Sequence, residues 1–410
     1  MGRNFMRGVG AAAFLSVVLA VAGIPAAASQ DVDAIRARVT GGTIRVPADA
    51  TTIAKALDAA EPGGLVLVAP GVYHETLVLG EKAVTLASEY LTTGDEGLIE
   101  RTVLDGSGGT SSEDRMDQVI LVEKDAALST QLVGFTIRGG DDGISCEGNI
   151  HILHNRFIGN VDAIDYEGGG GVCACNHFEN NEDDGIDLDG PCDGLFEDNV
   201  IINNDDDGIE IRLHPYSGPL RKAIIRNNII QGNGEDGIQF IDYPEPSNRE
   251  FVIEHNVIAD SAMAGIGCMS GTNTRENYEA ADIDEYVLVV NNTLSGNRYG
   301  ITGGNCFIVL NNLIVDTKET ALKNVDYNSV VSHILFWGNG RDNEGSNLDN
   351  AGVLRVDPKL GPDFRPAPGS PCIDAGTTRF EQEDTRGYTA APETYAGSAP
   401  DLGAIESRQH

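Results

Sequence analysis

Residues 176–188 read NHFENNEDDGIDL, residues 199–211 read NVIINNDDDGIEI and residues 228–240 read NIIQGNGEDGIQF. Each stretch opens on Asn and carries an apolar side chain two residues later. It meets Asn again about five residues on and closes on Asp-Gly-Ile. The opening Asn recurs as Asn155, Asn176, Asn199, Asn228, Asn256, Asn292 and Asn312. The closing pair recurs as Gly143-Ile144, Ala163-Ile164, Gly185-Ile186, Gly208-Ile209, Gly237-Ile238, Gly265-Ile266 and Gly300-Ile301. The shortest spacings are 20 to 23 residues, and the longer ones are that period plus an insertion. A unit this short cannot bury its own apolar face and must stack on its copies. Val/Ile/Leu alternation without helical periodicity makes each unit one coil of a parallel β-solenoid. Like residues in successive coils then lie about 4.8 Å apart, so a column of like side chains becomes a row on one face.

Working outward, VPADATTIAKALDAAE (46–61) places Ile53, Ala56, Leu57 and Ala60 at helical spacing, with Asp49 or Thr51 as N-cap. The following residues, 62–88, supply short alternating strands split by Pro-Gly, Tyr-His and Gly-Glu turns. The reading is a helix closing the open end of the solenoid, followed by its first coil. Residues 357–410 are rich in Pro and Gly and break the repeat, with Phe364, Ile373, Leu402 and Ile405 as anchors of a C-terminal cap. The expected organisation is a signal peptide over 1–28, a single solenoid domain with its N-terminal cap over 29–356, and the cap segment over 357–410.

The signal reading rests on Arg3 and Arg7, the apolar stretch Ala11 to Val21 and the small-residue site Ala26-Ala27-Ala28. With no Cys beside that site to carry a lipid, it implies a secreted or periplasmic protein. No later segment is apolar enough to span a membrane. The net charge is −35, and taking away the two signal arginines leaves −37. That balance excludes nucleic acid and anionic membranes as partners, since both need clustered Lys/Arg. It permits cations, and it permits neutral or cation-bridged acidic polymers. Seven cysteines are too few and too irregular for a disulfide scaffold. Cys146, Cys173 and Cys268 fall at inward positions, and a Cys175–Cys192 disulfide is left open.

At this point a resemblance is plain. The run TTIAKALDAAEPGGLVLVAPGVYHE, the TVLDGSGG at 102–109, the repeated Asn…Asp-Gly-Ile units and the ending DPKLGPDFRPAPGSPCIDAGT…DLGAIE resemble right-handed parallel β-helix proteins of the pectin-lyase-like superfamily. The resemblance covers roughly residues 45–406. It implies an all-β fold, a right-handed parallel β-helix. It leaves activity open, because that superfamily holds lyases, hydrolases, esterases, epimerases and non-enzymatic surface proteins.

Counting the column glycine as zero, the next Ile faces in and the residues at plus two and plus four face out. The plus-two column is Ser145, Asp165, Asp187, Glu210, Gln239 and Gly267; the plus-four column is Glu147, Glu167, Asp189, Arg212 and Ile241. Asp142, Asp162, Asp184, Asp207 and Asp236 precede the glycine, and Asp141, Asp183, Asp206 and Glu235 precede those. Stacked carboxylates repel by roughly 1 kcal/mol per pair in water and by more at lower dielectric. Protons or a hard cation must offset this, and oxygen-only ligands suit Ca²⁺. The bland alternative for an Asp before Gly is capping of backbone amides. The segment Asp183-Asp184-Gly185-Ile186-Asp187 resembles the calcium-binding turn and strand of family 9 pectate lyases. That resemblance implies Asp183, Asp184 and Asp187 as ligands, with Asp162 or Asp165 from the previous coil. The candidate metal set is Asp165, Asp183, Asp184, Asp187, Asp207 and Glu210. The chain departs from the family at one position: where the resemblance implies a lysine base, this sequence has Glu210.

Three insertions leave from the turn after the acidic strand, at 213–222, 242–250 and 270–285. Insertions on one edge of a solenoid build a binding face. They hold the scarce bases and aromatics. The candidate catalytic residues are Arg212, His214 or Lys222 as base and Tyr216 as acid, with neutralisation of the neighbouring acids as the alternative role of Arg212; Arg221, Tyr243 and Arg249 are the candidate substrate contacts. The expected function is Ca²⁺-dependent β-elimination on an acidic polysaccharide by a monomer. A non-catalytic carbohydrate-binding or surface solenoid is the alternative. Hydrolysis by paired aspartates such as Asp184, Asp187 and Asp207 is a second one, resembling polygalacturonase sites but without their histidine-glycine and arginine-x-lysine elements.

Overall fold

The computed structural model of the chain describes residues 31–108, 116–271, 278, 281, 283–381 and 387–407. The expected signal peptide at 1–28 lies outside them. Among the described residues three parallel sheets, one of 12 strands and two of 11, wind into a right-handed parallel β-helix. Each coil gives one strand to each sheet. The columns read from the sequence are the observed register. Ser145 pairs with Asp165, Asp165 with Asp187, Asp187 with Glu210, and Glu210 with Gln239.

The interior is built from apolar rows. Ile144, Ile164, Ile186, Ile209, Ile238, Ile266 and Ile301 are buried one above the other, and Phe157 stacks on Phe178 with ring centroids 4.8 Å apart. Each turn into the next sheet is marked by a left-handed residue followed by the ladder Asn. Asp198, Asn227 and His255, at φ 56 to 57°, precede Asn199, Asn228 and Asn256. Short polar side chains tolerate that conformation. In the ladder, Asn199 Nδ2 donates to Asn228 Oδ1 (3.0 Å), and Asn228 Nδ2 donates to Asn256 Oδ1 (2.9 Å). A second ladder runs through Asn160, Asn181, Asn204 and Asn233.

The helix Ile53–Ala59 closes the N-terminal end, putting Ile53, Ala56 and Leu57 into the main core. Its N-cap is Thr52 rather than Asp49 or Thr51: Thr52 accepts from Lys55 N, while Asp49 accepts from Arg45 N. The helices Val32–Ala37, Tyr90–Thr93 and Gly97–Arg101, too short to show a periodicity, bury Ile35, Tyr90, Leu91 and Leu98 around the 12-stranded sheet. The C-terminal segment lies along the flank of the solenoid as well as near its end. Leu402 and Cys372 pack on Leu313, Val315 and Leu335, and Ala404 and Ile405 pack on Val257.

The seven cysteines are free. Cys192 is in the main core, whereas Cys175 sits at a left-handed turn and packs in the outer cluster. The open disulfide is therefore absent because the two thiols belong to opposite sides of the sheet. No helix among the described residues is long and apolar enough to cross a membrane.

Candidate functional site

The acidic strands Asp162–Asp165, Ile186–Leu188 and Ile209–Arg212 are neighbours in one 11-stranded sheet. The aspartates before the column glycine form a third ladder. Asp184 Oδ1 accepts the amide of Asp207 (2.8 Å), Asp207 Oδ1 accepts that of Asp236 (2.5 Å), and Asp236 Oδ1 accepts that of Ala264 (2.5 Å). From the 270–285 insertion, Tyr278 donates its hydroxyl to Asp236 Oδ1 (2.5 Å). These aspartates thus satisfy backbone N–H groups at the coil-to-coil turn.

Five of the six predicted ligands divide among three groups of acidic residues. Asp184, Asp187 and Glu210 bring one oxygen each within 4.8 Å of one another. Asp183 joins Asp184 and Asp206 instead, and Asp165 joins Glu167 and Asp189. Asp207 is a ladder rung and belongs to none of the three among the described residues, which corrects its assignment as a ligand. Asp206, Glu167 and Asp189 complete these groups; they lay outside the predicted set, although the acidic columns had marked each of them.

Asp187 and Glu210 point away from the interior, yet they are only 5% and 7% exposed. Burial, with the charges of Glu210 and Asp189, pushes the Asp187 carboxyl up to about 9. Burial also raises Asp184 well above the carboxylate range, helped by Glu210 and Asp187, and carries Asp165 up to about 8. Glu210 rises to about 7, burial outweighing the nearby Arg212. Asp187 Oδ1 and Asp165 Oδ1 are buried without a hydrogen-bond partner. An orphaned buried carboxylate oxygen is costly unless a proton or a cation meets it.

Arg212 is the one cation seated in this cluster among the described residues. It lies 2.5 Å from Glu210, 3.3 Å from Asp189 and 3.8 Å from Asp187. Burial works against its charge, but those carboxylates outweigh it and hold the guanidinium protonated, above its ordinary range. This corrects Arg212 as a base: it is an internal counter-ion. Lys222 is also corrected. It stands on a strand of the 12-stranded sheet, where it pairs with Glu250 at 3.3 Å. His214 is at the cluster, 4.0 Å from Asp189 and stacked on Tyr243 with centroids 4.3 Å apart.

Arg249, expected to touch substrate, is 4% exposed. Its Nη1 donates to the Arg212 carbonyl (2.6 Å) and its Nη2 to the Leu188 carbonyl (3.5 Å), so it clamps the ends of two acidic strands. Tyr216 and Arg221 form a separate pair. Arg221 Nε donates to the Tyr216 hydroxyl (3.2 Å), and both line a cleft with Glu147 and Glu167.

The family profile described as "Right handed beta helix region" matches residues 117–244. Comparison with curated proteins gives no significant sequence match. Among solved structures, pectate lyase Pel9A superposes with a TM-score of 0.51 at 14% identity, over 90% of this chain and 97% of that one. The catalytic domain of a GH87 α-1,3-glucanase in complex with nigerose gives 0.46 at 13% identity, over 77% and 68%. An alginate lyase from Paenibacillus sp. strain FPU-7 gives 0.30 at 15% identity, over 77% and 99%. At these identities the likeness to Pel9A shows the fold, a right-handed parallel β-helix of the pectin-lyase-like type.

Proposed function

We propose that the protein is a secreted enzyme that cleaves an acidic polysaccharide by β-elimination, with Ca²⁺ held between Asp184, Asp187 and Glu210. One observation carries the reading. On the outer face of the sheet, the nearly inaccessible Asp187 keeps an oxygen without a hydrogen-bond partner, beside two more buried carboxylates. Three carboxylates, those of Asp187, Asp189 and Glu210, share a single guanidinium, so positive charge is lacking. A hard dication with water and substrate completing its six to eight oxygens fits that donor set. When bound, it draws charge from a uronate carboxylate and so acidifies the neighbouring C5 proton.

The chain's own residues supply the rest. Arg212, held in place by its carboxylates, presents a fixed positive group to the substrate. His214, half exposed at the rim, takes the C5 proton; as the C4–O bond breaks and the C4–C5 double bond forms, water gives the departing oxygen a proton, and Tyr243 behind His214 fixes the ring plane. Similarity to a pectate lyase in fold, and the fold's long solvent-facing sheet, agree with a polymeric substrate.

A hydrolytic reading has one observation of its own. Asp183 and Asp206 bring carboxyl oxygens within 4.8 Å of each other, a contact that favours protonation of Asp183. Burial and that contact bring Asp183 to about 6, and burial with the charge of Glu235 brings Asp206 to about 6. A carboxylic acid beside a carboxylate is what glycoside hydrolysis requires. Incubation with polygalacturonate, alginate and glycosaminoglycans, in calcium and in chelator, separates the readings. β-Elimination yields ultraviolet-absorbing unsaturated ends that vanish with chelator. Reducing ends without that absorbance mean hydrolysis, and no new ends at all would leave a binding protein.

A further inference from the structure

The 213–222 insertion reaches back over the turns of earlier coils. Its Tyr216 and Arg221 share an open-sided cleft of about 520 Å³ with Lys124, Glu147, Glu167 and the backbone of Gly168. These residues come from three successive coils and the insertion, so the cleft exists only in the folded stack. The Tyr216 hydroxyl is tied by Arg221 Nε, and Arg221 in turn is anchored 2.5 Å from Asp193. The aromatic ring is thereby fixed before any ligand arrives, which lowers the ordering cost of binding. Lys124 has no ion pair among the described residues.

Arg221 is already paired with Asp193, so Lys124 alone faces the two carboxylates Glu147 and Glu167 and the lining carries no positive excess. Glu167 also belongs to the acidic group with Asp165 and Asp189, so a further carboxylate placed here meets repulsion. A ligand with a flat apolar face and a rim of hydroxyls matches instead, because each hydroxyl both donates and accepts. We propose that the cleft is a subsite for a neutral pyranose unit of the polymer, adjoining the acidic cluster. The proposal rests on the reading that this face binds polysaccharide.

Gly168 offers a clean test. A Cβ there meets only the Glu147 carbonyl oxygen, at 3.7 Å, whereas a Cβ on Gly169 would come within 2.0 Å of the Gly148 oxygen. Gly168→Phe therefore fills the cleft without disturbing the coil. Lys124→Met is a second variant, on an exposed side chain. Calorimetric titration with neutral gluco-, manno- and galacto-tetrasaccharides and with a galacturonate tetrasaccharide should show at least one neutral ligand binding the native protein. Gly168→Phe should weaken that binding at least about tenfold at unchanged Tm, and Lys124→Met should weaken it too. The proposal is overturned if no neutral tetrasaccharide binds, if both variants bind like the native protein, or if only galacturonate binding falls. Neutral-sugar binding without turnover of any polymer would remove the β-elimination reading and leave the subsite standing. Turnover of a uronan without neutral-sugar binding would do the reverse.

Discussion

Asp187 is where the protein departs most from what its sequence alone suggests. Alternation placed its side chain outside the solenoid, and that is correct, but outside here does not mean wet. Strand periodicity reports which face a residue takes. Whether that face is covered depends on insertions whose course no period describes. Asp187→Asn replaces a carboxyl that burial already tends to protonate with a neutral group of the same shape. In chelator at pH 8 we expect its Tm to equal or exceed that of the native protein. A native protein stabilised by calcium at about a hundred times its Kd should gain ~2.7 kcal/mol, and Asp187→Asn should gain nothing. A calcium response that survives the substitution would remove the assigned site. Arg249 poses the complementary case, a cation that looked like a substrate contact and proves to be a clamp. Arg249→Met strands the Arg212 carbonyl. Urea denaturation should report a loss of about 2 kcal/mol, whether or not sugar is present; an unchanged midpoint would return Arg249 to the substrate-binding set.

At the scale of the strand and turn, the sequence is most legible. The Asn and Gly-Ile columns are the register itself, because a coil of fixed length brings the same position back one layer higher. The same logic explains Asp184, Asp207 and Asp236 as rungs, each accepting the next amide. It fails for Lys222, only ten residues beyond Arg212, because the chain has turned into another sheet by then. It fails also for Thr52 and for the short outer helices, which answer to local capping and to the apolar back of a sheet. The ladders carry a specific expectation. Asn228 accepts from the Asn199 amide and side chain and donates to the Phe196 carbonyl and to Asn256. Asn228→Ala leaves several of these buried groups without partners, at roughly 3 kcal/mol. Chemical denaturation should show that loss, and a cost below about 1 kcal/mol would mean that water enters the turn.

Over the whole molecule, the acidic face couples stability to pH in an uncommon direction. Asp187, Asp165 and Glu210 have folded values near 9, 8 and 7, all above the ordinary carboxylate value near 4. Between about pH 4 and 9 the folded state therefore holds protons that the unfolded chain releases, so stability should fall as pH rises through that window. Calcium at saturation should flatten the fall, by taking the place of the protons. Differential scanning calorimetry from pH 5 to 9, with chelator and with calcium, gives the two slopes, and a chelated protein that gains stability with pH would contradict the assignment. The flank-bound tail has a consequence of another kind, in the order of events at the ribosome. Coils can stack in the sequence in which they are made, since each needs only its predecessor. The outer apolar groups at Val257, Leu313 and Leu335 find their covers in residues 402–405, and Asn291 and Thr293 bond to Asp401 and Ala404, about 110 positions later. A nascent chain that had not yet reached residues 401–405 would carry a stack with sticky sides, so the codons for those five residues bear on whether it stays soluble during translation.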